Sequence, residues 1–368
     1  MMTKGLFIGK FLPFHRGHLS AILKASTQCD ILYVVLSQDR RQMKQRCEEN
    51  NLKEMPLETI AMWMNQELQI FADHIKIVPI DETILPPLKD QNNPKEWRKE
   101  WADIAKSALV TAGVEQFENG DVDLDFMFGS ELGYQEYASK YINKDIQYVM
   151  IDLERSYVNI SATELVQNVY KHWDMLPGAV RPHFVKKILI TGIESCGKTT
   201  LAKKLAKNFL SSWSTEYGKW YQQNEMGNYG GNWTIEDFEI IAMKQLDQDK
   251  HAYRTANKVA FIDTDAIVTD YYLELFVKNA GGTSLLIESL KKEEIGKWDL
   301  VVLLQPTVKW VQDGTRFDDM KDEETRWELH AKLKGMYNSY GIPYIEIGGD
   351  YKFRFETIIN EVEKLLGK

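Results

Sequence analysis

Long apolar runs are missing from this 368-residue chain: no stretch of 18 uncharged apolar residues occurs, so membrane insertion through a spanning helix is not expected. Cysteine is scarce, with only Cys29, Cys47 and Cys196, and no two are spaced C-x-x-C. That excludes a disulfide framework, and a cytoplasmic location is expected from the reducing chemistry it implies. The first residues enter a strand-like stretch, Lys4 to Ile8, instead of a basic and apolar leader, so secretion is not expected. Positive charge is in deficit: 45 Lys and Arg against 54 Asp and Glu leave a net charge of −9. Such a surface argues against a general nucleic-acid or membrane-surface binder. A small anionic ligand stays compatible, because it needs only a local positive pocket. Internal repeats and low-complexity tracts are also missing. What is plentiful is tryptophan, ten residues, for which packing is the commoner use and stacking on a flat ring the rarer one.

Strand and helix signals alternate. The apolar runs Leu6–Ile8, Ile31–Leu36, Ile75–Ile80, Leu124–Phe128 and Ile146–Ile151 are separated by amphipathic stretches. One of these follows Asn93-Pro94, a capping residue and a first-turn proline, and runs to about Ala112 with Trp97 and Trp101 on one face. The pattern then restarts: strands at Lys187–Thr191, Val259–Asp263, Leu300–Leu304 and Tyr344–Ile347, with a helix at Gly197–Phe209. Between the two series lies Met175–Pro182, with two prolines and a glycine. The expected architecture is α/β, two tandem parallel-sheet domains covering 1–180 and 181–368.

At the end of the first strand stands Gly9-Lys10-Phe11-Leu12-Pro13-Phe14-His15-Arg16-Gly17-His18. A strand end, a tight turn and a helix start form a phosphate site, with unpaired amides at the positive end of the helix dipole. Gly9 and Gly17 permit close backbone approach, and His15 and His18, three apart, can donate to one anion. Metal binding is not expected, because no cysteine cluster or third histidine accompanies the pair. The run resembles the nucleotidyltransferase superfamily, which implies a Rossmann-like domain whose two histidines bind the ATP phosphates and stabilise adenylyl transfer. The superfamily's second motif, I-S-S/T-T-x-x-R, is matched by Ile160-Ser161-Ala162-Thr163-Glu164-Leu165-Val166. Ser161 and Glu164 have capping-box spacing, so a helix starts here. Val166 departs from the motif, where arginine is usual, and Lys10, Arg16 or Arg155 is the expected source of compensating charge. Phe128-Gly129-Ser130 closes a strand and opens a helix, either beside nucleotide or as an ordinary capped turn. The resemblance assigns Gly9, Lys10, Phe11, Gly17, Phe128, Gly129, Ser130, Arg155, Ser161 and Thr163 to ATP and mononucleotide binding. The basic run Arg40 to Arg46 reads as a solvated helix face.

In the second half, Gly192-Ile193-Glu194-Ser195-Cys196-Gly197-Lys198-Thr199 matches G-x-x-x-x-G-K-S/T between a strand and a helix, the setting of a P-loop. Gly192, Glu194, Ser195, Cys196, Gly197, Lys198, Thr199 and Thr200 are therefore expected around the ATP phosphates. Lys198 reaches the transferred group and Thr199 holds Mg²⁺. Cys196 contributes its amide, since no resolving thiol lies nearby. Phe261-Ile262-Asp263-Thr264-Asp265 ends an apolar strand. Asp263 is expected to order the Mg²⁺ shell or accept a substrate proton, and Asp265 to hold a ribose diol or cap a helix. Tyr217, in Glu216-Tyr217-Gly218, is a candidate for stacking on a base-like ring. Arg316, in Trp310-Val311-Gln312-Asp313-Gly314-Thr315-Arg316, stands where small P-loop kinases carry a lid arginine.

In this order, the two constellations resemble the bifunctional nicotinamide mononucleotide (NMN) adenylyltransferase/ribosylnicotinamide kinase family, NadR. The resemblance includes the Arg181 to Phe184 join and runs over nearly the whole chain. It implies that the second half phosphorylates nicotinamide riboside with MgATP and that the first half joins NMN to AMP from a second ATP, giving NAD and pyrophosphate. ATP, nicotinamide riboside, NMN and NAD are the implied partners, and Mg²⁺ the implied cofactor. Neither step needs a covalent enzyme intermediate. Some members carry a helix-turn-helix domain ahead of these halves. This chain starts at the first transferase strand, so nucleic-acid binding is not expected. Transferase domains of this type often self-associate, which leaves a homo-oligomer open. Three alternatives also stay open: a kinase whose first half only binds or senses nucleotide, motivated by Val166; a bifunctional enzyme for another nucleoside; and a non-enzymatic regulator.

Overall fold

The structure is a computed structural model that describes residues 2–86, 94–130, 134–151, 160–227, 232–277, 284–311 and 321–367. The chain divides into two compact units, Met1–Phe184 and Val185–Lys368, each built on its own five-stranded sheet.

In the first unit the strands are β1 (Lys4–Gly9), β2 (Ile31–Gln38), β3 (Ile75–Asp81), β4 (Phe126–Gly129) and β5 (Gln147–Met150). All pair in parallel, in the order β3-β2-β1-β4-β5. β2 is buried along nearly its whole length, as a strand covered on both faces must be, and this is why it reads as one apolar run. Helix Pro94–Thr111 lays Trp101, Ala102, Ala105 and Leu109 into the core. Trp101 Nε1 donates to Ser37 Oγ at 3.1 Å and to Glu82 Oε2 at 3.0 Å, and both partners are buried. The tryptophan thus serves packing and satisfies a buried carboxylate. Asn93, expected to cap this helix, lies outside the described residues. β4 starts at Phe126, two positions later than the apolar run suggested, because Leu124 is held in a tight turn to Val122.

The order reverses at β1, whose neighbours are β2 on one side and β4 on the other. A crevice therefore opens at the carboxyl end of β1, the place where open α/β sheets bind ligands. Helix Arg181–Phe184 packs within this unit: Phe184 is buried, its carbonyl accepts from Tyr170 Oη at 3.0 Å, and His183 meets Trp63 edge-on at 5.1 Å. Residues 181–184 accordingly belong to the first unit, a few positions beyond the boundary expected at 180.

The second unit contains β6 (Lys186–Thr191), β7 (Ser212–Ser214), β8 (Val259–Asp263), β9 (Leu300–Leu304) and β10 (Ile345–Ile347). They also run parallel, in the order β10-β9-β6-β8-β7, so β6 is central and β8 buried throughout. β7 escaped the sequence pattern because it is a three-residue edge strand. It is fixed by pairing to β8, by the Ser211 hydroxyl on the Val259 carbonyl, and by the Ser212 hydroxyl on the Ala252 carbonyl at 2.6 Å. Helix Ile235–Thr255 is closed at its start by a capping box between Thr234 and Asp237. Among the described residues no helix is long and apolar enough to cross a membrane.

Candidate active sites

β1 delivers the chain into the crevice of the first unit. Gly9 is required there because Phe11 folds back over it: a Cβ at Gly9 would come within 2.7 Å of the Phe11 ring. His15 caps helix Arg16–Ser26, its Nδ1 accepting from the amides of Gly17 at 3.1 Å and His18 at 3.4 Å. As an acceptor Nδ1 is unprotonated, which puts the imidazole proton of neutral His15 on Nε2 as a donor. The His15 and His18 rings stack at 3.6 Å between centroids. The expectation of free amides at this helix start is therefore corrected: two of them, of Gly17 and His18, are engaged by His15.

Several of the expected binding residues lie elsewhere. Phe11 is buried, edge-on to His18 at 5.0 Å, and supports the histidine ring without reaching ligand. Phe128 is likewise a core residue. Gly129 and Ser130 remain half-buried at the carboxyl end of β4, beside the crevice. Lys10 Nζ lies 3.2 Å from Glu82 Oε1 and donates to Gln42 Oε1 at 2.9 Å, and Arg16 points to the Asp174 carbonyl at 3.4 Å. Arg155 is outside the described residues. Ser161 caps helix Ala162–Gln167 through the Glu164 amide at 3.1 Å. Thr163 accepts from Arg46 at 3.1 Å.

In the second unit the loop after β6 has the backbone of a phosphate cradle. Gly192 (φ 144°), Ser195 (φ 57°) and Gly197 (φ 89°) take positive φ, and a Cβ at Gly192 would meet the Leu304 carbonyl at 2.9 Å. Gly197 opens helix Lys198–Asn208. Lys198 is buried with Nζ on the Ile193 carbonyl at 3.0 Å. Burial alone would depress its pKa, but Cys196, Glu216, Asp263 and Glu194 around it hold it above the ordinary lysine value. Cys196 is fully buried, donates to the Ile193 carbonyl at 2.8 Å, and has its thiol pKa pushed up by burial. This is the setting of an inert thiol.

Two arginines hold the loop from behind. Arg354, with none of its surface exposed, donates to the carbonyls of Cys196 (2.7 Å), Gln305 (2.8 Å) and Gly349 (3.1 Å) and to Thr307 Oγ1 (2.7 Å). Arg326 reaches the Val308 carbonyl at 2.9 Å and the Ser195 carbonyl at 3.4 Å.

Thr199 donates its hydroxyl to Asp263 Oδ2. The other Asp263 oxygen has no hydrogen-bond partner among the described residues, and burial, reinforced by Glu216 against the pull of Lys198, raises this carboxyl to about 6. A hydroxyl beside a buried carboxylate with an unused oxygen is a hard-oxygen donor set, and Mg²⁺ takes few protein ligands when phosphates supply the rest. Asp265, two residues on, has a different role. It caps helix Ala266–Phe276 through the Val268 amide at 3.0 Å and accepts from Tyr337 Oη at 2.9 Å, while burial and Glu294 push it up to about 7. Of the two expected roles, helix capping is the one these bonds fit, and Asp265 Oδ2 has no hydrogen-bond partner among the described residues.

In front of the loop lies a cleft of about 940 Å³, with Lys198, Thr199 and Thr200 at one end. One wall is aromatic: Trp233, Phe238, Tyr272 and Phe276, with Tyr272 and Phe276 stacked at 5.7 Å and Trp233 and Phe276 at 6.0 Å. The buried Trp233 Nε1 and Tyr272 Oη have no hydrogen-bond partner among the described residues. Polar side chains in the same lining include Glu194, Glu216, Gln222 and Gln245. Tyr217, the expected stacking residue, does not line this cleft; its ring lies against Trp220 at 5.2 Å. Arg316 falls outside the described residues.

A family model described as "AAA domain" matches residues 187–354, the span from the P-loop strand to Arg354. The "Trifunctional NAD biosynthesis/regulator protein NadR" of Salmonella typhimurium is 28% identical over 99% of this chain and 83% of its own length. A solved structure described as "Crystal structure of NadR protein in complex with NR" is 25% identical and superposes with a TM-score of 0.75, covering 100% of this chain and 97% of the other. Over nearly its whole length the chain is similar to NadR proteins. A second NadR structure, in complex with NAD and AMP-PNP, gives the same TM-score over the same coverage at 23% identity. This similarity supports an enzyme of nucleotide metabolism that serves NAD biosynthesis.

Sequence reasoning missed Glu216, Arg354, Arg46 and the four rings of the aromatic wall. Glu216 follows β7, whose brevity hid the strand end that would have marked it. Arg354 and Arg46 act on loops far away in sequence, so no local spacing announces them. The aromatic wall is drawn from Trp233, Phe238, Tyr272 and Phe276, whose convergence depends on the packing of helices Ile235–Thr255 and Ala266–Phe276.

Proposed function

We propose that the second unit phosphorylates the 5′-hydroxyl of nicotinamide riboside with ATP, and that the first unit transfers the adenylyl group of ATP to NMN, giving NAD and pyrophosphate. The observation that carries the reading is a cleft lined both by the P-loop lysine and by an aromatic cluster, with the carboxylates Glu194 and Glu216 also in its lining. Nicotinamide riboside has a flat, cationic pyridinium ring, which suits an aromatic wall facing an acidic group.

In the kinase step the riboside 5′-oxygen attacks the γ-phosphorus, the bond to the β,γ-bridging oxygen breaks, and ADP departs. Glu216 accepts the hydroxyl proton, and Lys198 and the loop amides neutralise the charge on the transferred group. Thr199 and Asp263 are the groups that would hold Mg²⁺, which when bound supplies charge neutralisation at the phosphates. In the transferase step an NMN phosphate oxygen attacks the α-phosphorus and pyrophosphate leaves. His15 and His18 donate hydrogen bonds to the phosphate oxygens as charge builds up.

The test supplies the purified chain with nicotinamide riboside or NMN plus MgATP, and measures NMN, NAD, ADP and pyrophosphate. NMN and ADP from the riboside, together with NAD and pyrophosphate from NMN, are expected. A second reading rests on the buried, uncharged Val166: ADP release with the riboside but no NAD from NMN would make the first unit a nucleotide-binding module only. Trp233→Leu is expected to raise KM for the riboside roughly 10- to 100-fold, the magnitude of one lost stacking contact, with KM for ATP unchanged. Equal riboside KM in the variant would remove the ring from the aromatic wall.

A further inference from the structure

Helix Arg40–Glu49 carries the basic run that the sequence reads as a solvated face, and Arg40, Arg41 and Lys44 are indeed exposed. Arg46 is not. Its guanidinium is half-buried and donates to Thr163 Oγ1 at 3.1 Å, inside the second nucleotidyltransferase motif. One turn earlier on the same helix, Gln42 accepts from Lys10 in the loop after β1 at 2.9 Å. Positions four apart share a helix face, so this one face joins both motifs of the first-unit site. Between helix Arg40–Glu49 and helix Ala162–Gln167 lies a cavity of about 620 Å³ lined by Gln42, Arg46, Glu49, Thr163 and Val166, among others.

We infer that Arg46 is the phosphate-binding cation of the adenylyl-transfer site, supplied from helix Arg40–Glu49 in place of a charge that Val166 cannot provide. The assignment rests on the transferase reading above. Val166 is 2% exposed and apolar, on the same helix face as Thr163. Of the other expected cations, Lys10 is paired with Glu82 and Arg16 reaches the Asp174 carbonyl, while Arg155 lies outside the described residues. Arg46 has no carboxylate within ion-pair distance among the described residues. Glu49 faces the same cavity, but its carboxylate accepts from Gln45 at 2.8 Å. Burial holds the Arg46 pKa below the ordinary arginine value, the mark of a cation that has lost water without gaining a counter-ion. Its fork of donors matches two oxygens of a triphosphate, and the bond to Thr163 fixes its direction.

The experiment uses the full chain as wild type, Arg46→Ala, Arg46→Lys, Val166→Arg and the Arg46→Ala/Val166→Arg double variant. NAD formation is measured at varied ATP and varied NMN, alongside riboside phosphorylation, and the thermal unfolding of each variant, followed by circular dichroism, controls for folding of the first unit. Arg46→Ala is expected to lower kcat/KM for ATP about 100-fold, with KM for NMN little changed. Lysine should recover only part of this, since it lacks the fork. Val166→Arg in the alanine background is expected to recover at least about tenfold, which a purely structural role of Arg46 would not allow. Wild-type kcat/KM in Arg46→Ala overturns the inference while leaving the transferase reading intact; so does a loss shared equally by the kinase reaction and not rescued by Val166→Arg. No NAD from the wild-type chain overturns the transferase reading, and the inference with it.

Discussion

Lys198→Met is expected to lower riboside phosphorylation by about 10³-fold or more, while NAD formation from supplied NMN continues at the wild-type rate. Methionine keeps the length and apolar stem of the buried lysine, so the loop retains its packing and only the charge is lost. That charge has two tasks. It neutralises the transferred phosphoryl group, and it opposes burial in setting the Asp263 carboxyl, which stands at about 6 with Lys198 present. Removing it leaves Asp263 more easily protonated, so the variant loses a phosphate ligand and weakens the acidic group beside Thr199 together. His18→Ala is the reciprocal lesion, abolishing NAD formation and sparing ADP release with the riboside. Each unit has its own sheet and its own phosphate loop, and this is why the two losses separate. Chromatographic measurement of all four products on both variants checks the claim. A Lys198→Met protein that loses both activities together would contradict it.

Arg354→Met is expected to destabilise the second unit by about 3 kcal/mol or more and to raise KM for ATP in the kinase reaction at least tenfold. The guanidinium satisfies three backbone carbonyls and the Thr307 hydroxyl. Without it these acceptors stay buried without donors, and Cys196 loses the contact that anchors the centre of the P-loop. At about 2–4 °C per kcal/mol for a unit of this size, the melting transition of the second unit should fall by roughly 10 °C. Arg354→Lys restores at most part of the network, because one ammonium cannot reach acceptors arranged for a planar fork. Thermal unfolding followed with and without ATP measures both effects. Unchanged ATP affinity in the methionine variant would reduce Arg354 to a core residue with no hold on the loop.

The architecture was legible where function and backbone coincide. The P-loop glycines and the G-x-F-x-P-x-H-x-G-H run mark strand ends and tight turns, and both stand at the carboxyl end of a central strand. Direction of side chains was not legible. Phe11 and Phe128 lie inside motif-like runs yet are buried in the core, and Tyr217 lies against Trp220 while its neighbour Glu216 lines the cleft. Asp263 and Asp265 are two apart at a strand end, but only tertiary packing shows that one joins Thr199 and the other caps a helix against Tyr337. The bonds of Arg46 to Thr163 and of Arg354 to Cys196 span more than a hundred residues, beyond any pattern of local spacing.

The pairing of Lys10 with Glu82 has a bearing on how the first site responds to its medium. Glu82 is anchored by Ser37 and Trp101, so the lysine beside the phosphate loop is matched by a fixed negative partner. His15 adds an oriented ring to that loop, its Nδ1 held by the Gly17 and His18 amides. Dissolved salt screens charges over about 8 Å at physiological ionic strength, and a compensated pair has little long-range field to screen. In the proposed transfer Lys10 thereby adds little salt dependence to nucleotide capture, and the dependence that remains falls to Arg46.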